Sequence, residues 1–561
     1  MNAVLEHARN TFIAYFTMEI ALRPEIHTYS GGLGVLAGDT ARSAADLALP
    51  VAFVSLVSKS GYIGQEIREG RQVELPNPWD PSDWAMPVSA KVAVRLEDRD
   101  VWVRPWLYRI KGITGHATPV ILLDTDLEEN HPDDRRLTDS LYGGDELYRL
   151  KQEAILGIGG VRMLRALGFE IEHFHMNEGH AALLTLELMR RYQDTGESDG
   201  SADLGKIRNA CIFTTHTPVE AGHDKFPYEL VARVLNGYVD PAILRRYGGE
   251  EALNMTQLAL SFSGYINGVA KRHAETSRKM FPGYRVHAVT NGIHSATWAW
   301  PSFARLYDEH LPDWRHDPEV LLRAVEIPDA AVRAAHFEAK QALVQKVAEL
   351  TGIKLDPTVA TIGFARRMTS YKRANLIFQD ISRLKTIARE RPFQLIMAGK
   401  AHPRDTEGKR LIEIIHREAI ELSGSVPVVF LPSYDMDLAR YIVSGVDIWL
   451  NTPLPPMEAS GTSGMKAALN GVLNLSVPDG WWAEGCIEGH TGWAIGDGNG
   501  SADHTRDAAM LYEKLQKVVL PLYYDQPDRW AWMMKEAISR IGSYFNTHRM
   551  MRRYAAEAYL R

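Results

Sequence analysis

Met457-Glu458-Ala459-Ser460-Gly461-Thr462-Ser463-Gly464-Met465-Lys466 stands just after the apolar run Val446-Asp447-Ile448-Trp449-Leu450 and leads into Ala467-Ala468-Leu469. An apolar strand that ends in a Gly/Ser/Thr loop and then opens a helix is a βα step of a parallel sheet, and its loop suits an anion. Glycines let backbone N–H groups converge, hydroxyls add donors, and the helix N-terminus adds partial positive charge. Lys466 reads either as a cation for that anion or as an amine that condenses with a carbonyl. An ordinary βα turn with an exposed lysine is the competing reading of this stretch taken alone.

The same step recurs along the chain. Ala14-Tyr15-Phe16-Thr17-Met18-Glu19 reads as a first strand, followed by the loop Tyr29-Ser30-Gly31-Gly32-Leu33-Gly34, a helix from Val35 to Leu47 and a strand from Pro50 to Val57. That order begins a parallel βαβ unit. Gly32-x-Gly34-x-x-x-Gly38 has one residue too many for a dinucleotide fingerprint and reads as a phosphate-facing glycine loop. Further apolar runs deliver polar tips at Asp124-Thr125-Asp126, Asn177-Glu178-Gly179-His180, Thr215-His216-Thr217 and Asn291-Gly292-Ile293-His294. Polar tips at the carboxyl ends of parallel strands mark where open α/β folds bind ligands. Arg71 to Ile110 alternates like hairpins inserted into this first domain. Trp298 to Lys354 turns helical and charged, as a crossing between domains would. A second α/β series then runs through Thr358–Phe364, Phe393–Gly399, Pro427–Leu431 and Val446–Leu450, and the chain beyond Asp525 reads as helical.

Composition narrows the function classes. With 561 residues a single core is too small a plan, so two large domains are expected. The net charge of −7, with basic residues dispersed, argues against a nucleic-acid binder. Two cysteines, Cys211 and Cys486, exclude a disulfide framework or a Cys-based zinc module. The start lacks the pattern of a secretion signal, and no apolar run approaches the roughly 20 residues of a membrane span. A cytoplasmic soluble enzyme or binding protein is expected.

Directly after the strand Thr361–Phe364 comes Arg366-Arg367-Met368-Thr369-Ser370-Tyr371-Lys372-Arg373, with four cations in eight residues. A positive run at a helix start opposes the helix dipole unless an anion is bound there, and this many cations suits two phosphates. His173, His175, Glu178 and His180 lack the spacing of a helical zinc motif, so no metal is expected. Asp124 and Asp126 read as loop or cap acids. Trp481 and Trp482 read either as a sugar-stacking platform or as core.

Taken together, these segments resemble the α-glucan (glycogen, starch, maltodextrin) phosphorylases, in a compact, divergent branch. Glu458 to Lys466 with Asn470-Gly471 is similar to the pyridoxal-phosphate segment of that family, and Arg366 to Arg373 to its basic segment, usually Lys-Arg-x-x-x-Tyr-Lys-Arg. Ser30 to Gly34 is similar to its glycine loop, Thr215-His216-Thr217 to its sugar-site strand tip, and Leu395 to Ala401 also fits. Arg366 replaces the usual lysine, and Ser463-Gly464 replaces the usual Gly-Asn. The resemblance implies a GT-B fold, an α/β architecture of two Rossmann-like domains facing a central cleft. The expected limits are 1–297 and 298–524, with helices 525–561 returning to the first domain. It implies reversible phosphorolysis of α-1,4-glucans to α-D-glucose 1-phosphate with pyridoxal 5′-phosphate as cofactor, and a possible homodimer. Lys466 would join to the cofactor aldehyde. Thr462, Ser463, Arg366 and Gly32 would hold the cofactor, and Arg367, Lys372 and the Gly31-Gly32 backbone would hold substrate phosphate. Glu458, Ala459, Ser460, Gly461, Tyr371, Asn177, His180 and the His216 tip would take the terminal glucose. Lys466, Arg367, Lys372 and His216 are thus the expected catalytic set. The rival readings are a GT-B transferase using a nucleotide-sugar donor and a catalytically degenerate glucan binder.

Overall fold

The computed structural model describes residues 6–193, 203–496 and 503–560. The chain divides into two compact units. Unit 1 comprises Met1–Ile63, Pro76–Thr290 and Met550–Arg561, and unit 2 comprises Gly64–Leu75 and Asn291–Arg549.

Unit 1 is built on parallel strands β1 (Ile13–Thr17), β2 (Val51–Leu56), β3 (Ala117–Asp124), β4 (His173–Asn177), β5 (Cys211–Thr214), β6 (Tyr265–Gly268) and β7 (Val286–Ala288). They lie in the order β7-β6-β5-β4-β1-β2-β3, with the antiparallel strand Arg99–Lys111 added beside β3. The order reverses between β1 and β4, which is the doubly wound pattern. Both faces are covered, so the strands are apolar without a polar face. Successive side chains still separate the two cores. Ile13, Tyr15, Val51 and Phe53 pack on one face, while Ala14, Phe16, Ala52 and Val54 pack on the other. The C-terminal segment closes the first of these faces. Tyr559 bonds His175 Nδ1 at 2.8 Å through its hydroxyl, and the Tyr554 hydroxyl accepts from Asn267 Nδ2 at 3.0 Å.

Helix α1 (Gly32–Asp46) starts three residues before the expected Val35. Gly31 is extended, with φ −167°, and its carbonyl already accepts the Val35 N–H at 3.1 Å, so Gly32 to Gly34 form the first turn. The helix crosses the segment after β1 closely, because a Cβ on Gly38 would lie 2.0 Å from the Ala21 carbonyl oxygen. The hairpins after residue 60 divide between the units. Val92–Leu96 pairs with Arg99–Lys111 in unit 1, whereas Gly64–Arg68 and Arg71–Leu75 belong to unit 2. There the Gln65 side chain donates to the Gly399 carbonyl and that of Gln72 to the Ala401 carbonyl, both at 2.9 Å. In this division 64–75, 291–297 and 525–549 all count with unit 2.

Unit 2 is an all-parallel sheet of β8 (Ala360–Ala365), β9 (Phe393–Ala398), β10 (Val428–Leu431), β11 (Ile448–Asn451), β12 (Leu473–Ser476) and β13 (Gly492–Ala494). Its order is β10-β9-β8-β11-β12-β13, again reversing at one point, between β8 and β11. At the amino end of that reversal Asp447 is buried. It accepts from the Thr361 N–H at 2.7 Å and from Lys340 Nζ at 2.5 Å, and His336 Nε2 lies 3.0 Å away. Lys340 and His336 come from α2 (Asp329–Thr351), which this buried charge pins to the sheet.

Gly38→Ala forces α1 away from the Ala21 carbonyl. The expected cost is about 1–3 kcal/mol, as for overpacking of a close-packed core. A thermal or denaturant midpoint equal to that of the parent chain overturns this reading of the contact.

Candidate active site

The carboxyl end of the unit 2 reversal gathers most of the expected residues. Arg366 leaves β8 and meets Asn451, the last residue of β11, through a short Nη1···Oδ1 contact. Glu458 Oε2 takes two cations, Arg366 Nη2 at 2.6 Å and Lys372 Nζ at 2.7 Å. Burial alone would raise the Glu458 carboxyl, but the two cations outweigh it and hold it at about 2. Glu458 is itself placed by its own N–H, which donates to Asp479 Oδ2 at 2.9 Å. Ala459 and Gly461 are half-buried on the same loop and Ser460 is buried, its carbonyl accepting the Trp481 N–H at 2.9 Å. Gly461 has φ +76°, a left-handed turn that favours glycine.

Lys466 sits in the short helix α3 (Ser463–Leu469), buried, with Nζ 3.7 Å from the centroid of the Trp298 ring. Asn470 fixes that juxtaposition. Its Nδ2 donates to the carbonyls of Trp298 and Lys466 at 2.9 and 2.8 Å, and its Oδ1 accepts the Trp300 N–H at 2.7 Å. The Thr462 hydroxyl does not cap the helix, and the Ser463 hydroxyl accepts from Trp449 Nε1 at 3.2 Å. A side chain at position 464 is excluded, since its Cβ would lie 2.3 Å from Asn474 Oδ1.

The basic run divides its labour. Arg373 is buried and structural, donating to the Thr452 and Pro453 carbonyls and to Asp507 Oδ2 at 2.7 Å. Arg367 is exposed, with no hydrogen bond or ion pair among the described residues. Tyr371 is half-buried, its ring centroid 4.5 Å from the Lys372 amine.

Unit 1 gathers a second group at its own reversal. Asn177 ends β4 and bonds across to β1, donating from Nδ2 to the Thr17 hydroxyl at 3.1 Å. Its Oδ1 lies 2.6 Å from His216 Nε2, so Nε2 carries the proton and Nδ1 is the acceptor. Low-dielectric surroundings, together with His273, His175 and His180, pull His216 down to about 3, so the ring is neutral. Glu178, with φ +74°, accepts from the His216 N–H at 2.7 Å and the Thr217 hydroxyl at 3.0 Å. Burial pushes its carboxyl up to about 7 against the pull of those bonds. His180 Nε2 lies 3.5 Å from Asp224, and burial pulls its ring down to about 3. Gly31 and Gly32 precede and open α1, and a Cβ on either would meet nothing within 4 Å. Neither packing nor a positive φ calls for glycine at these two positions, which face open space.

Other expectations resolve as structure. His175 is buried between the Tyr559 and Thr214 hydroxyls, and burial pulls it down to about 3. Asp124 binds Arg104 at 2.8 Å and Asp126 binds Lys59 at 2.5 Å. Trp481 and Trp482 are core, stacked edge-on at 5.1 Å. Trp298, Asn451 and Asn474 were not anticipated. Asn451 ends a parallel strand and was open to the carboxyl-end rule, whereas Trp298 lies far from Lys466 in the chain and has no spacing signal.

Comparison with known proteins adds to this geometry. The family model for carbohydrate phosphorylases matches residues 242–487. A maltodextrin phosphorylase of Thermococcus litoralis is 39% identical over 98% of this chain and 70% of its own length. A glycogen phosphorylase of Mycobacterium tuberculosis is 38% identical over 99% and 71%. One of Aquifex aeolicus is 36% identical over 98% and 86%.

Glu458→Gln leaves Arg366 and Lys372 buried with their charge uncompensated, at an expected cost of about 3–5 kcal/mol. Because the folded carboxyl at about 2 lies below its ordinary 4.5, this stabilisation is complete above about pH 4.5 and fades as pH falls toward 2. The difference between the denaturant midpoints of the two proteins should narrow steadily as pH falls from 5 toward 2. A gap independent of pH rules the ion cluster out as its source.

Proposed function

The chain belongs to the carbohydrate phosphorylase family, and from that premise we propose that it catalyses the reversible phosphorolysis of α-1,4-glucans, releasing α-D-glucose 1-phosphate from the non-reducing end with retention. The observation that carries the reading is the buried Lys466 amine over Trp298, placed next in the chain to a loop whose carboxylate holds Arg366 and Lys372. An amine, two hydroxyls and a guanidinium form the donor set of a phosphate-bearing aldehyde. Pyridoxal 5′-phosphate fits it: Lys466 would be its covalent anchor, Thr462, Ser463 and Arg366 would hold its phosphate, and Gly32 would help to bind it. When bound, this cofactor supplies a fixed phosphate as proton partner of the substrate phosphate.

The remaining work falls to this chain's own residues. Arg367, exposed and with no side-chain partner among the described residues, and Lys372 neutralise inorganic phosphate, and the Gly31-Gly32 backbone lets it approach closely. The terminal glucose is held by the Glu458–Gly461 loop, Tyr371, Asn177 and His180. His216, neutral with Nδ1 as its acceptor, receives a sugar hydroxyl and does not move a proton. Substrate phosphate donates its proton to the glycosidic oxygen as the C1–O bond breaks. It then bonds C1 on the same face, so the configuration is retained and the shortened glucan leaves with a free 4-hydroxyl. No pair of protein carboxylates is used, unlike the glycosidases. A nucleotide-sugar transferase would give the placement of Lys466 no purpose, and a degenerate glucan binder none for the cations. The GT-B arrangement, a homodimer and a cytoplasmic location belong to the same proposal. Among the described residues no helix is long and apolar enough to cross a membrane.

The test is an absorbance spectrum before and after borohydride, paired with Lys466→Ala and an assay for phosphate-dependent glucose 1-phosphate release. A reducible pyridoxal band lost in the variant, together with release by the parent, is expected. A colourless protein that stays inactive after pyridoxal phosphate is added sinks the reading.

A further inference from the structure

Glu19 follows β1 at the unit 1 reversal and is 3% exposed. Its Oε2 accepts the Ser30 N–H at 2.6 Å, the Ser30 hydroxyl at 3.1 Å and the Gly31 N–H at 3.2 Å. Its Oε1 accepts the Tyr142 hydroxyl at 2.9 Å. The first amides of the glycine loop therefore have their acceptor inside the protein. The amides of Gly32, Leu33 and Gly34, in the first turn of α1, have no helical partner. Position 34 is sealed against the same carboxylate, because a Cβ there would lie 2.7 Å from Glu19 Oε2.

Tyr142 extends the contact. Its ring lies under the Arg149 guanidinium at 4.7 Å, Arg149 bonds Asp224 and Glu153 at 2.9 Å each, and Asp224 reaches His180. One continuous set of contacts thus joins the glycine loop to the strand tip that carries Asn177 and His180, wholly within unit 1. A carboxylate repels a phosphate of like charge, so Glu19 has no use as a direct ligand of the substrate anion. What it does here is hold backbone.

We propose that Glu19 is a positioning residue for phosphorolysis: by binding Ser30 and Gly31 it sets the glycine loop so that the Gly31-Gly32 backbone meets substrate phosphate, and Tyr142 ties that setting to the sugar-binding strand tip. The proposal rests on the phosphorolysis reading above.

The test compares Glu19→Ala, Glu19→Gln and Tyr142→Phe with the parent as holoenzymes. Inorganic phosphate affinity is measured by 31P NMR titration, and KM is determined separately for phosphate and for maltodextrin. Losing hydrogen bonds to a charged acceptor predicts phosphate binding about tenfold weaker in Glu19→Ala. The maltodextrin KM should stay within about twofold, and Glu19→Gln, which keeps an acceptor for Ser30 and Gly31, should recover most of the loss. Tyr142→Phe removes one bond, predicts about a threefold loss, and decides the matter alone if Glu19→Ala does not fold. Phosphate affinity unchanged in Tyr142→Phe and in any folded Glu19→Ala overturns the proposal, as does an equal loss toward both substrates. A parent protein that releases no glucose 1-phosphate at all overturns instead the reading beneath it.

Discussion

Two cations on one oxygen of a buried carboxylate are the constraint around which unit 2 is arranged. Arg366 comes from the end of β8, Lys372 from the turn beyond it, and Glu458 from the loop after β11. Charges taken out of water are costly unless paired with good geometry and further hydrogen bonds. Here Arg366 also meets Asn451, and the Glu458 N–H is fixed by Asp479. Because both cations share Oε2, Oε1 remains on the side of Gly461, whose missing side chain would sit 3.4 Å from it. The cluster thus sets the Glu458–Gly461 loop and at the same time fixes the two cations beside it.

The two units reach comparable ends by the same topology. In each, one reversal of strand order separates neighbouring loops and opens a crevice at the carboxyl ends of the strands. Unit 1 furnishes its crevice with neutral hydrogen-bonding groups and a glycine loop, unit 2 with cations and an amine. The amino end of unit 2 shows the contrast, since the charges at Asp447 are fully enclosed by Lys340, His336 and the Thr361 N–H and pin a helix.

Much of this was legible in the sequence, because parallel strands announce themselves as apolar runs ending in polar tips. The βα steps, the glycine loop and the concentration of cations in Arg366–Arg373 follow from local composition, whereas the choice among the readings of Lys466 rests on the resemblance to the phosphorylases. Local order also misled in places. The α1 helix starts at Gly32 because the Gly31 carbonyl already closes its first turn, a backbone fact invisible in a glycine-rich string. Trp481 and Trp482 read equally as platform or core until packing buried them. Nothing in the run of four cations marks Arg373 as the one sealed against two carbonyls and Asp507.

The sequence by itself determined the class of each element and the kinds of chemistry present, since periodicity, glycine spacing and charge are local properties of the chain. Only the tertiary structure decided which groups serve together. Lys466 has Trp298 beneath it, Arg366 and Lys372 share Glu458, and Glu19 holds the glycine loop, because side chains distant in sequence become neighbours through strand order alone. Burial then set their charge states. It left His216 neutral, while two adjacent cations kept Glu458 ionised, and neither outcome is a property of the residue type.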